Sequence, residues 1–388
     1  MKTFSGPDEA IDALAARLTT VVAERAALAS GRVLAEPILL DRDSPAADVS
    51  AMDGYAVRMG DLASTEPLPV VGEIQPGQAP PVMPAHGVLR IFTGALVPPG
   101  VEAVVKREDA AEHPTKVRWT AAARELPLGA NIRRQGENGR AGEQALAAGT
   151  QLHAASIATA ISFGAAQVML YRPVRCSVIV TGNELLAVSD TPQPWQLRDS
   201  NGPTVAALLA DKPWLRLEQH TRCRDDRQQL QARLAEALQS SDAVILTGGV
   251  SKGDYDYVPG AIAEAGGEII FHRLPIRPGQ PILGAVTAGG KLILGLPGNP
   301  VSAACGMLRF GLPLLRKLSG NRQWQSRPLS VELSHSGNKT LPLHWMRLVR
   351  LSGTLGIGIA TAELVASQGS GDLVALGASD GFIEQPPG

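Results

Sequence analysis

The middle of the chain alternates between short apolar runs and amphipathic stretches. Runs such as VRCSVIV and DAVILTGG are almost continuously apolar, which is typical of strands that are buried on both faces. Between such runs lie stretches with helical spacing, and RQQLQARLAEALQ places Leu230, Leu234 and Leu238 on one face. Strands that alternate with helices predict a parallel sheet covered by helices on both sides, here between residues 173 and 320.

The regions before this segment carry different patterns. Residues 8–30 place apolar side chains at helical spacing and are followed by Gly31, which predicts one long N-terminal helix. Between about 46 and 138, short apolar runs such as VVGEI and GVLRIFTG are cut by Pro and Gly, which predicts a β-rich domain. An Ala-rich stretch near 154–163 predicts a further helix.

The length of 388 residues is sufficient for several domains. We predict a multidomain α/β protein with a largely parallel α/β core, β-rich domains and a helical linker domain. The C-terminal runs LSVELS and HWMRLVRL predict the last of the β domains. The predicted boundaries are 1–45 and 139–172 for the helical linker domain, 46–138 for the β-rich domain, 173–320 for the α/β domain and 321–388 for the C-terminal β domain.

Composition narrows the classes of function. The 36 basic and 37 acidic residues give a formal net charge of −1, whereas proteins that bind nucleic acids or membrane surfaces usually carry a basic excess. The three cysteines are too far apart for a CxxC site, and the seven histidines lack HExxH spacing, so a zinc site is not indicated. No run reaches the roughly 18 apolar residues of a membrane helix, and the N-terminus lacks the pattern of a signal peptide. We therefore expect a soluble, cytoplasmic protein that binds neither nucleic acids nor membranes.

Four loops rich in glycine and polar residues follow predicted strands of the α/β domain. Their sequences are TGNEL at 181–185, TGGVSKGDYDYV at 247–258, IRPGQP at 276–281 and LPGNP at 296–300. The carboxyl ends of parallel strands lie at one edge of a sheet, and ligands of α/β proteins bind at that edge. One site can therefore draw on all four loops, although each loop taken alone also fits a structural turn.

The residue types in and around these loops suit a phosphate-bearing ligand. The charged side chains are Glu184, Asp225, Lys252, Asp254, Asp256, Arg273 and Arg277. Carboxylates carry the oxygen atoms that Mg²⁺ prefers, basic groups bind phosphates or oxyanions, and glycines let backbone N–H groups approach an anion. Asp225 also fits a helix N-cap, and Lys252 also fits a solvated loop tip. The dinucleotide pattern GxGxxG and the P-loop pattern GxxxxGKS or GxxxxGKT are both absent.

The most specific signal is a series of eight motifs in a fixed order. They are SAMDGYAV, FTGALVPPGVEAVV, NIRRQGEN, TGNEL, RDSNG, TGGVSKGDYDYV, RPGQP and GLPGNPVSA. In this order they closely resemble the MoeA family of molybdopterin molybdenumtransferases, which includes the E domain of gephyrin, over essentially the whole chain. The resemblance implies insertion of molybdate into adenylylated molybdopterin, with release of AMP and with Mg²⁺, to form the molybdenum cofactor.

The resemblance also implies an assembly and a set of partners. The α/β core is expected to be MogA-like, and the protein is expected to be an elongated homodimer. The site is expected where the α/β domain of one subunit faces the β-rich domain of the other. A MogA-like adenylyltransferase and recipient molybdoenzymes are the further partners that the resemblance suggests.

The resemblance assigns functional residues position by position. The implied catalytic residues are Asp53, Thr93, Glu184, Asp225 and Asp256, with Asp53 and Thr93 supplied by the second subunit and Glu184, Asp225 and Asp256 as the metal ligands. The implied substrate-binding residues are Gly248, Gly249, Ser251, Arg273, Arg277, Pro297, Gly298, Asn299, Arg347 and Ser370. The loop at 248–251 would cradle the nucleotide end, the arginines at 273 and 277 would bind an oxyanion or phosphate, and the loop at 297–299 would lie beside the pterin.

Three positions depart from the family pattern. Asn183 stands in TGNEL where TGDEL is common, Asn138 stands where an Asp usually follows GE, and Gln280 replaces the Lys of PGKP. Each change keeps the shape of the side chain but removes a charge, which in a partly desolvated site is worth about 1.5–3 kcal/mol per hydrogen bond. These changes fit an altered paralogue that binds molybdopterin or acts as a scaffold, and that is the alternative to an active enzyme. The acidic residues that remain favour the enzyme.

Overall fold

The computed structural model describes residues 3–251, 253, 256–326, 328–335, 340–352 and 360–388. Two residues named above, Lys252 and Asp254, lie outside the described residues. The chain forms two compact units: the larger contains the residues up to Glu36, Ala147–Ile157 and Ala166–Gly388, and the smaller contains Pro37–Leu146 and Ala158–Ala165. The division into four domains stays a prediction.

The N-terminal segment of the larger unit departs from the expected long helix. Helix α1 spans only Pro7–Ala15, and strands β1 (Ala23–Ala27) and β2 (Val33–Leu34) follow it. The prediction of one helix over 8–30 is therefore wrong beyond α1. The run TTVV that follows is β-branched, which favours extended backbone, and the N–H of Val21 donates to Leu318 O at 2.9 Å. Strand β1 then pairs antiparallel with residues 167–171.

The smaller unit is built mostly from short strands, as expected. Its elements are β3 (Ile38–Leu39), β4 (Val49–Ser50), β5 (Gly54–Val57), α2 (Met59–Leu62), β6 (Leu68–Ile74), β7 (Val88–Ile91), β8 (Ala103–Lys106), a 3₁₀ turn (Arg107–Asp109), β9 (Ala110–Glu112), β10 (Lys116–Trp119), α3 (Ala121–Arg124), β11 (Ile132–Arg133) and β12 (Gln144–Leu146). The main sheet has the order β8-β5-β7-β6-β10-β9. Alternate residues of β5 point to different cores, because Tyr55 and Val57 pack in one apolar cluster and Ala56 in another.

Helix α4 (Ala154–Ser162) and strand β13 (Gln167–Tyr171) precede the α/β region. The elements of that region are β14 (Val174–Thr181), β15 (Leu185–Leu186), β16 (Leu197–Arg198), α5 (Asn201–Leu209), β17 (Leu215–Cys223), α6 (Arg227–Ser240), β18 (Ala243–Thr247), α7 (Val258–Glu264), β19 (Gly267–His272), β20 (Ile276–Arg277), β21 (Leu283–Thr287), β22 (Leu292–Leu296), α8 (Pro300–Gly306), a π-helical turn (Met307–Gly311) and α9 (Leu312–Leu318). The largely parallel α/β core is confirmed by these elements.

The central sheet has the order β17-β14-β18-β22-β21-β19. The ladders from β17 to β22 are parallel, and only β21 runs against its neighbours. Strand β21 is reversed because only a short turn connects it to β22, and a parallel connection needs a long crossover. On β14, Val178 and Val180 pack in one apolar cluster while Ile179 packs in the other. The sheet is therefore buried on both faces, which explains the continuous apolar runs.

The C-terminal region forms a second sheet. Its elements are β23 (Glu332–Leu333), β24 (His344–Ser352), β25 (Thr361–Leu364), α10 (Leu373–Gly377) and β26 (Gly381–Gln385). Strand β24 pairs with β25 and β26 and also with β20, so this sheet is tied to the loop between β19 and β21. None of the described helices combines the length and the apolar composition that crossing a bilayer requires.

Candidate active site

Five loops converge on the carboxyl edge of the central sheet. Parallel strands β14, β17, β18 and β22 each end there. Strand β21 begins there because it is antiparallel to β22, with Leu283 opposite Gly295. The expected gathering of TGNEL, TGGVSKGDYDYV, IRPGQP and LPGNP at one edge follows from this strand order. The loop after β17, which contains Asp225, joins them.

Asp225 is held by the neighbouring strand end. Its carboxylate accepts a hydrogen bond from the Thr181 hydroxyl at 2.6 Å and one from the Asn183 N–H at 3.1 Å. The Asp225 N–H in turn donates to the Asn183 side-chain oxygen at 3.2 Å. The N-cap of α6 is Asp226, whose side chain accepts from the Gln229 N–H at 2.7 Å. The alternative that Asp225 is the helix cap is therefore wrong, and its carboxylate faces the loop after β14.

Asp256 and Glu184 complete the acidic set in the larger unit. Asp256 accepts a hydrogen bond from the Gly253 N–H at 2.5 Å, which closes a local turn. The Glu184 side chain is exposed, and its backbone carbonyl accepts from the Leu197 N–H at 2.8 Å. The start of the loop that carries Asp256 is bound to the end of β19, because His272 Nε2 donates to Val250 O at 2.7 Å.

Gly248 is required at the start of the loop after β18. Its φ is +88°, and an added Cβ would lie 2.3 Å from Thr181 O. The loop after β18 therefore packs its backbone directly on the end of β14, which no other residue type permits. This close approach brings the Gly248, Gly249 and Ser251 backbone beside the Asp225 network.

The acidic residues and the glycine loop line one cavity of about 810 Å³. The predicted residues on its wall are Glu184, Asp225, Gly248, Gly249, Ser251, Asp256, Pro297, Gly298 and Asn299. The Thr247 hydroxyl is buried on the same wall without a hydrogen-bond partner among the described residues. An unpaired hydroxyl is costly to bury, so the cavity has a polar group left for a ligand.

A second cavity of about 770 Å³ adjoins the first and shares Pro281, Pro297 and Asn299 with it. The remaining predicted residues on its wall are Arg277, Arg347 and Ser370. The guanidinium carbon of Arg347 lies 4.4 Å from the ring centre of Trp345, and that of Arg277 lies 5.9 Å from it. Asn299 Nδ2 donates to the Ser370 hydroxyl at 2.9 Å and so connects the two cavity walls.

Arg273 is the one predicted substrate-binding residue of the larger unit that lines neither cavity. It is exposed, has φ of +68°, and donates to the Gln280 side-chain oxygen at 3.1 Å. The Gln280 amide therefore accepts from Arg273 where the family pattern has a lysine that could not accept. Gln280 itself lines the second cavity.

The donor set of the first cavity suits a hard cation. Mg²⁺ is usually bound by one or two carboxylates together with substrate phosphates and water, and four carboxylates line this cavity, those of Glu184, Asp199, Asp225 and Asp256. Within the described ranges, no three His, Cys, Asp or Glu side chains stand close enough together to enclose a metal ion. A dedicated three-carboxylate cage is thus not formed, and magnesium at Glu184, Asp225 and Asp256 stays a proposal.

Sequence reasoning did not single out several residues of the first cavity. Asp199 and Asn201 come from RDSNG, and Asn201 Nδ2 donates to Gly298 O at 2.7 Å. Burial raises the pKa of the Asp199 carboxyl, but the His220 ring and the Gly202 N–H lower it below its ordinary value. His220 Nε2 lies 3.8 Å from the Asp199 carboxylate. The RDSNG motif was the available signal for Asp199 and Asn201, whereas His220 carries none.

Asp53 and Thr93 form a separate pair in the smaller unit. The Thr93 N–H and hydroxyl both donate to Asp53 Oδ1 at 2.8 Å. These two bonds hold the pKa of the Asp53 carboxyl below its ordinary value, with help from Arg107 and Arg90. Strands β5 and β7 bring the pair together, because their ladder sets Gly54 opposite Ile91.

A hydrogen-bonded network lies on the same sheet as Asp53. Arg107 binds the Glu112 carboxylate through two nitrogens at 2.9 and 3.0 Å, and the Tyr55 hydroxyl donates to Glu112 at 2.8 Å. Burial and the Glu112 hydrogen bond raise the pKa of Tyr55 to about 12. Asn138 accepts from Arg133 at 2.9 Å in another part of this unit, so its amide oxygen fills the place of a carboxylate oxygen.

Two family models together match most of the chain. The MoeA N-terminal region (domain I and II) matches residues 6–164, and a probable molybdopterin binding domain matches residues 177–317.

Curated relatives and solved structures agree with these matches. A molybdopterin molybdenumtransferase of Nostoc sp. is 34% identical over 377 residues, covering 93% of this chain and 84% of that protein. A protein of the same name from Haemophilus influenzae is 36% identical over 306 residues, covering 77% and 73%. The solved molybdopterin biosynthesis moeA protein from Pyrococcus horikosii superposes with a TM-score of 0.76 at 27% identity, covering 99% and 95%. This chain therefore belongs to the MoeA family of molybdopterin molybdenumtransferases.

Proposed function

We propose that this protein transfers molybdate into adenylylated molybdopterin and releases AMP, forming the molybdenum cofactor. The pair of adjoining cavities in the larger unit supports this reaction. Two adjoining cavities share a wall at Pro297 and Asn299, and one is lined by carboxylates while the other is lined by Arg277 and Arg347. Such a paired arrangement suits a substrate with two bulky ends joined by phosphates.

The residues divide the proposed work between the two cavities. The backbone at Gly248 and Gly249 would approach the nucleotide phosphate, because glycine lets amide groups come close to an anion. Arg277 and Arg347 would bind oxyanion or phosphate oxygens, and the loop at 297–299 would lie beside the pterin. Arg273 would contribute charge from the rim, since it lines neither cavity.

Magnesium is part of the proposal. Asp225 and Asp256 would hold it with Glu184, and a bound Mg²⁺ would supply charge neutralisation at the phosphate linkage. The contacts of Asp225 with Thr181 and Asn183 orient its carboxylate before any ligand arrives.

The proposed active enzyme is a cytoplasmic homodimer. Asp53 and Thr93 would then reach the substrate from the second subunit. Sedimentation velocity at micromolar concentration is expected to give a dimer, and a strict monomer would contradict the shared site. A MogA-like adenylyltransferase as supplier of the substrate and molybdoenzymes as recipients of the product are part of the same proposal.

The reaction itself is tested by single-turnover release of AMP from adenylylated molybdopterin with molybdate and Mg²⁺. The wild type is expected to release AMP, and Asp53→Ala and Asp256→Ala are expected to release it much more slowly. If the wild type releases no more AMP than the double variant, the protein is not a transferase.

A second candidate function is that of a molybdopterin-binding or scaffolding protein. It is favoured by Asn183, whose amide oxygen accepts from the Asp225 N–H where a carboxylate is common in the family. Relative to the family pattern, the neutral side chains at positions 138, 183 and 280 remove two negative charges and one positive charge. Tight binding of molybdopterin without AMP release would support this candidate.

A further inference from the structure

A third cavity of about 460 Å³ lies away from the proposed site and shares no lining residue with its two cavities. Three chain segments form it: the turn before β2, the segment before α4 and the segment at the end of α9. The lining residues are Ser30, Gly31, Gly149, Thr150, Gln151, Leu152, His153, Arg316, Asn321, Arg322 and Gln323.

The wall of this cavity carries only basic and neutral side chains. His153, Arg316 and Arg322 are basic, and no Asp or Glu is among the eleven lining residues. A cavity wall whose charged side chains are all basic attracts anions and raises their local concentration. Neutral donors stand beside the basic groups, since the wall also contains three side-chain amides and two hydroxyls.

Arg316 differs from Arg172 and Arg309, which are also partly buried. Arg172 binds the Asp242 carboxylate through two nitrogens at 2.6 and 2.8 Å, and Arg309 binds Glu384 and Asp8 at 2.6 Å each. Arg316 is also partly buried, yet its guanidinium makes no hydrogen bond or ion pair within the described part of the chain. The guanidinium of Arg316 therefore has its hydrogen-bond donors available for an anion that enters the cavity.

The pKa values of Arg172 and Arg316 are shifted in opposite directions. The Asp242 carboxylate raises the pKa of Arg172 above its ordinary value. Burial lowers the pKa of Arg316, and no carboxylate of the residues that the structure describes opposes this effect. A basic residue in the last turn of a helix is favoured by the helix dipole, which accounts for a charge at the end of α9 but not for its partial burial.

The wall of the cavity is already organised. Asn321 Nδ2 donates to the Gln151 side-chain oxygen at 3.2 Å, and Gln151 Nε2 donates to Gly31 O at 3.2 Å. The Arg322 N–H donates to Gly149 O at 3.0 Å. These bonds join segments more than 100 residues apart in the chain, so the cavity has defined sides before a ligand enters.

We propose that this cavity binds a small tetrahedral oxyanion, either free phosphate or a phosphomonoester, with Arg316 as the central contact. Arg322 and His153 line the wall beside it; Arg322 adds positive charge, and the His153 ring adds a hydrogen-bonding group. The proposal goes beyond the transferase function, because none of its residues belongs to the proposed active site.

The test compares variants by isothermal titration with inorganic phosphate and with glycerol 3-phosphate, at constant ionic strength in chloride. We expect saturable binding to the wild type and a loss of about tenfold or more in affinity for Arg316→Gln, because a charge-assisted hydrogen-bonding group is removed. Arg25→Gln, which removes an exposed charge on β1, is the matched control and is expected to bind like the wild type. Tighter binding of the ester than of phosphate would identify a phosphomonoester as the ligand.

Arg277→Gln removes a basic residue of the proposed active site. In this variant the binding that depends on Arg316 is expected to persist, which distinguishes the third cavity from the active site. Arg316→Lys keeps the charge and is expected to bind with intermediate affinity, and thermal unfolding in chloride checks that each variant is folded. The proposal is overturned if Arg316→Gln and Arg316→Lys both bind phosphate as the wild type does. It is also overturned if the wild type binds neither anion at millimolar concentration.

Discussion

The two units hold their candidate acids in different ways. In the larger unit, Asp225, Asp256 and Glu184 come from loops after different strands and line one cavity. In the smaller unit, Asp53 is bound by Thr93, its neighbour across two paired strands. The first arrangement depends on strand order and on close backbone contact, whereas the second depends on one side chain.

This difference predicts where each unit is sensitive to substitution. In the larger unit, changes to the backbone at the sheet edge should alter stability and the site together. In the smaller unit, a change at Thr93 should alter the pKa of Asp53 and leave the fold intact. The following four substitutions test that contrast.

The largest effect is expected for Gly248→Ala. The new Cβ meets Thr181 O and the backbone has φ of +88°, so we expect the free energy of unfolding to fall by about 3 kcal/mol or more. Gly100→Ala in the smaller unit is the matched control, because Gly100 also has φ of +88° but has no atom within 4 Å of the added Cβ. It should cost only about 1–2 kcal/mol. Urea unfolding measures both, and equal losses would show that the close contact contributes nothing.

A smaller effect is expected for Asp256→Asn on the rate of AMP release. Loss of the carboxylate charge should slow a single turnover on the order of 100-fold, while the turn with Gly253 is kept. Asp190→Asn is the control, since Asp190 accepts from the Ala187 N–H at 3.1 Å in a similar turn and lines neither site cavity. Equal rates for the two variants would remove Asp256 from the proposed chemistry.

Thr181→Val is expected to lower the free energy of unfolding by about 1.5 kcal/mol. It removes the hydroxyl that binds the Asp225 carboxylate at 2.6 Å in a partly buried place. Thr247→Val is the control, because the Thr247 hydroxyl is buried without a partner among the described residues. That variant should be neutral or slightly stabilising in the absence of substrate. A ranking in the opposite order, measured by urea unfolding, would contradict the assigned contacts.

The smallest effect on the fold is expected for Thr93→Val, and it appears as a pKa change. Thr93 lowers the pKa of Asp53, so this contribution to stability is present above the unfolded pKa and is lost as the pH falls through the lower folded pKa. Thr93→Val should raise the pKa of Asp53 toward its ordinary value. Carboxyl-carbon NMR titration measures the change, with Thr65→Val as an exposed control in the same unit. An unchanged Asp53 titration would show that the Thr93 hydroxyl does not bond to Asp53 in solution, since the N–H bond remains in the variant.

The central sheet was predictable because burial on both faces leaves an apolar signal. Strands β14, β18 and β22 are apolar runs, and the alternation of strands with helices predicted their parallel direction. Strand β17, with the sequence LRLEQHTRC, is an edge strand with several exposed charged side chains, so its pattern gave no signal. Asp225 was included among the candidate ligands as an acidic residue near the loops, and the strand that brings it to the sheet edge is visible only in the structure.

Contacts between distant segments explain where the hydrophobic pattern of the sequence failed to predict the structure. Residues 16–22 continue a helical spacing, but the Val21 N–H bonds to Leu318 O and β1 pairs with β13. Tertiary pairing thus overrides a local preference. The contact between Asp53 and Thr93 depends on the register of β5 and β7, which the short runs of that unit do not specify.

The reversed strand β21 has a consequence for how the site can vary. Its reversal returns the chain to the carboxyl edge, so the loop at 273–282 begins and ends beside the candidate site. This loop also contains β20, which extends the C-terminal sheet through β24. A change in the length of this loop would therefore displace β20 from β24, whereas the parallel order β17-β14-β18-β22 does not pass through the loop. The loop thus couples the wall of the second cavity to the C-terminal sheet, so that a shift of that sheet would move Arg277.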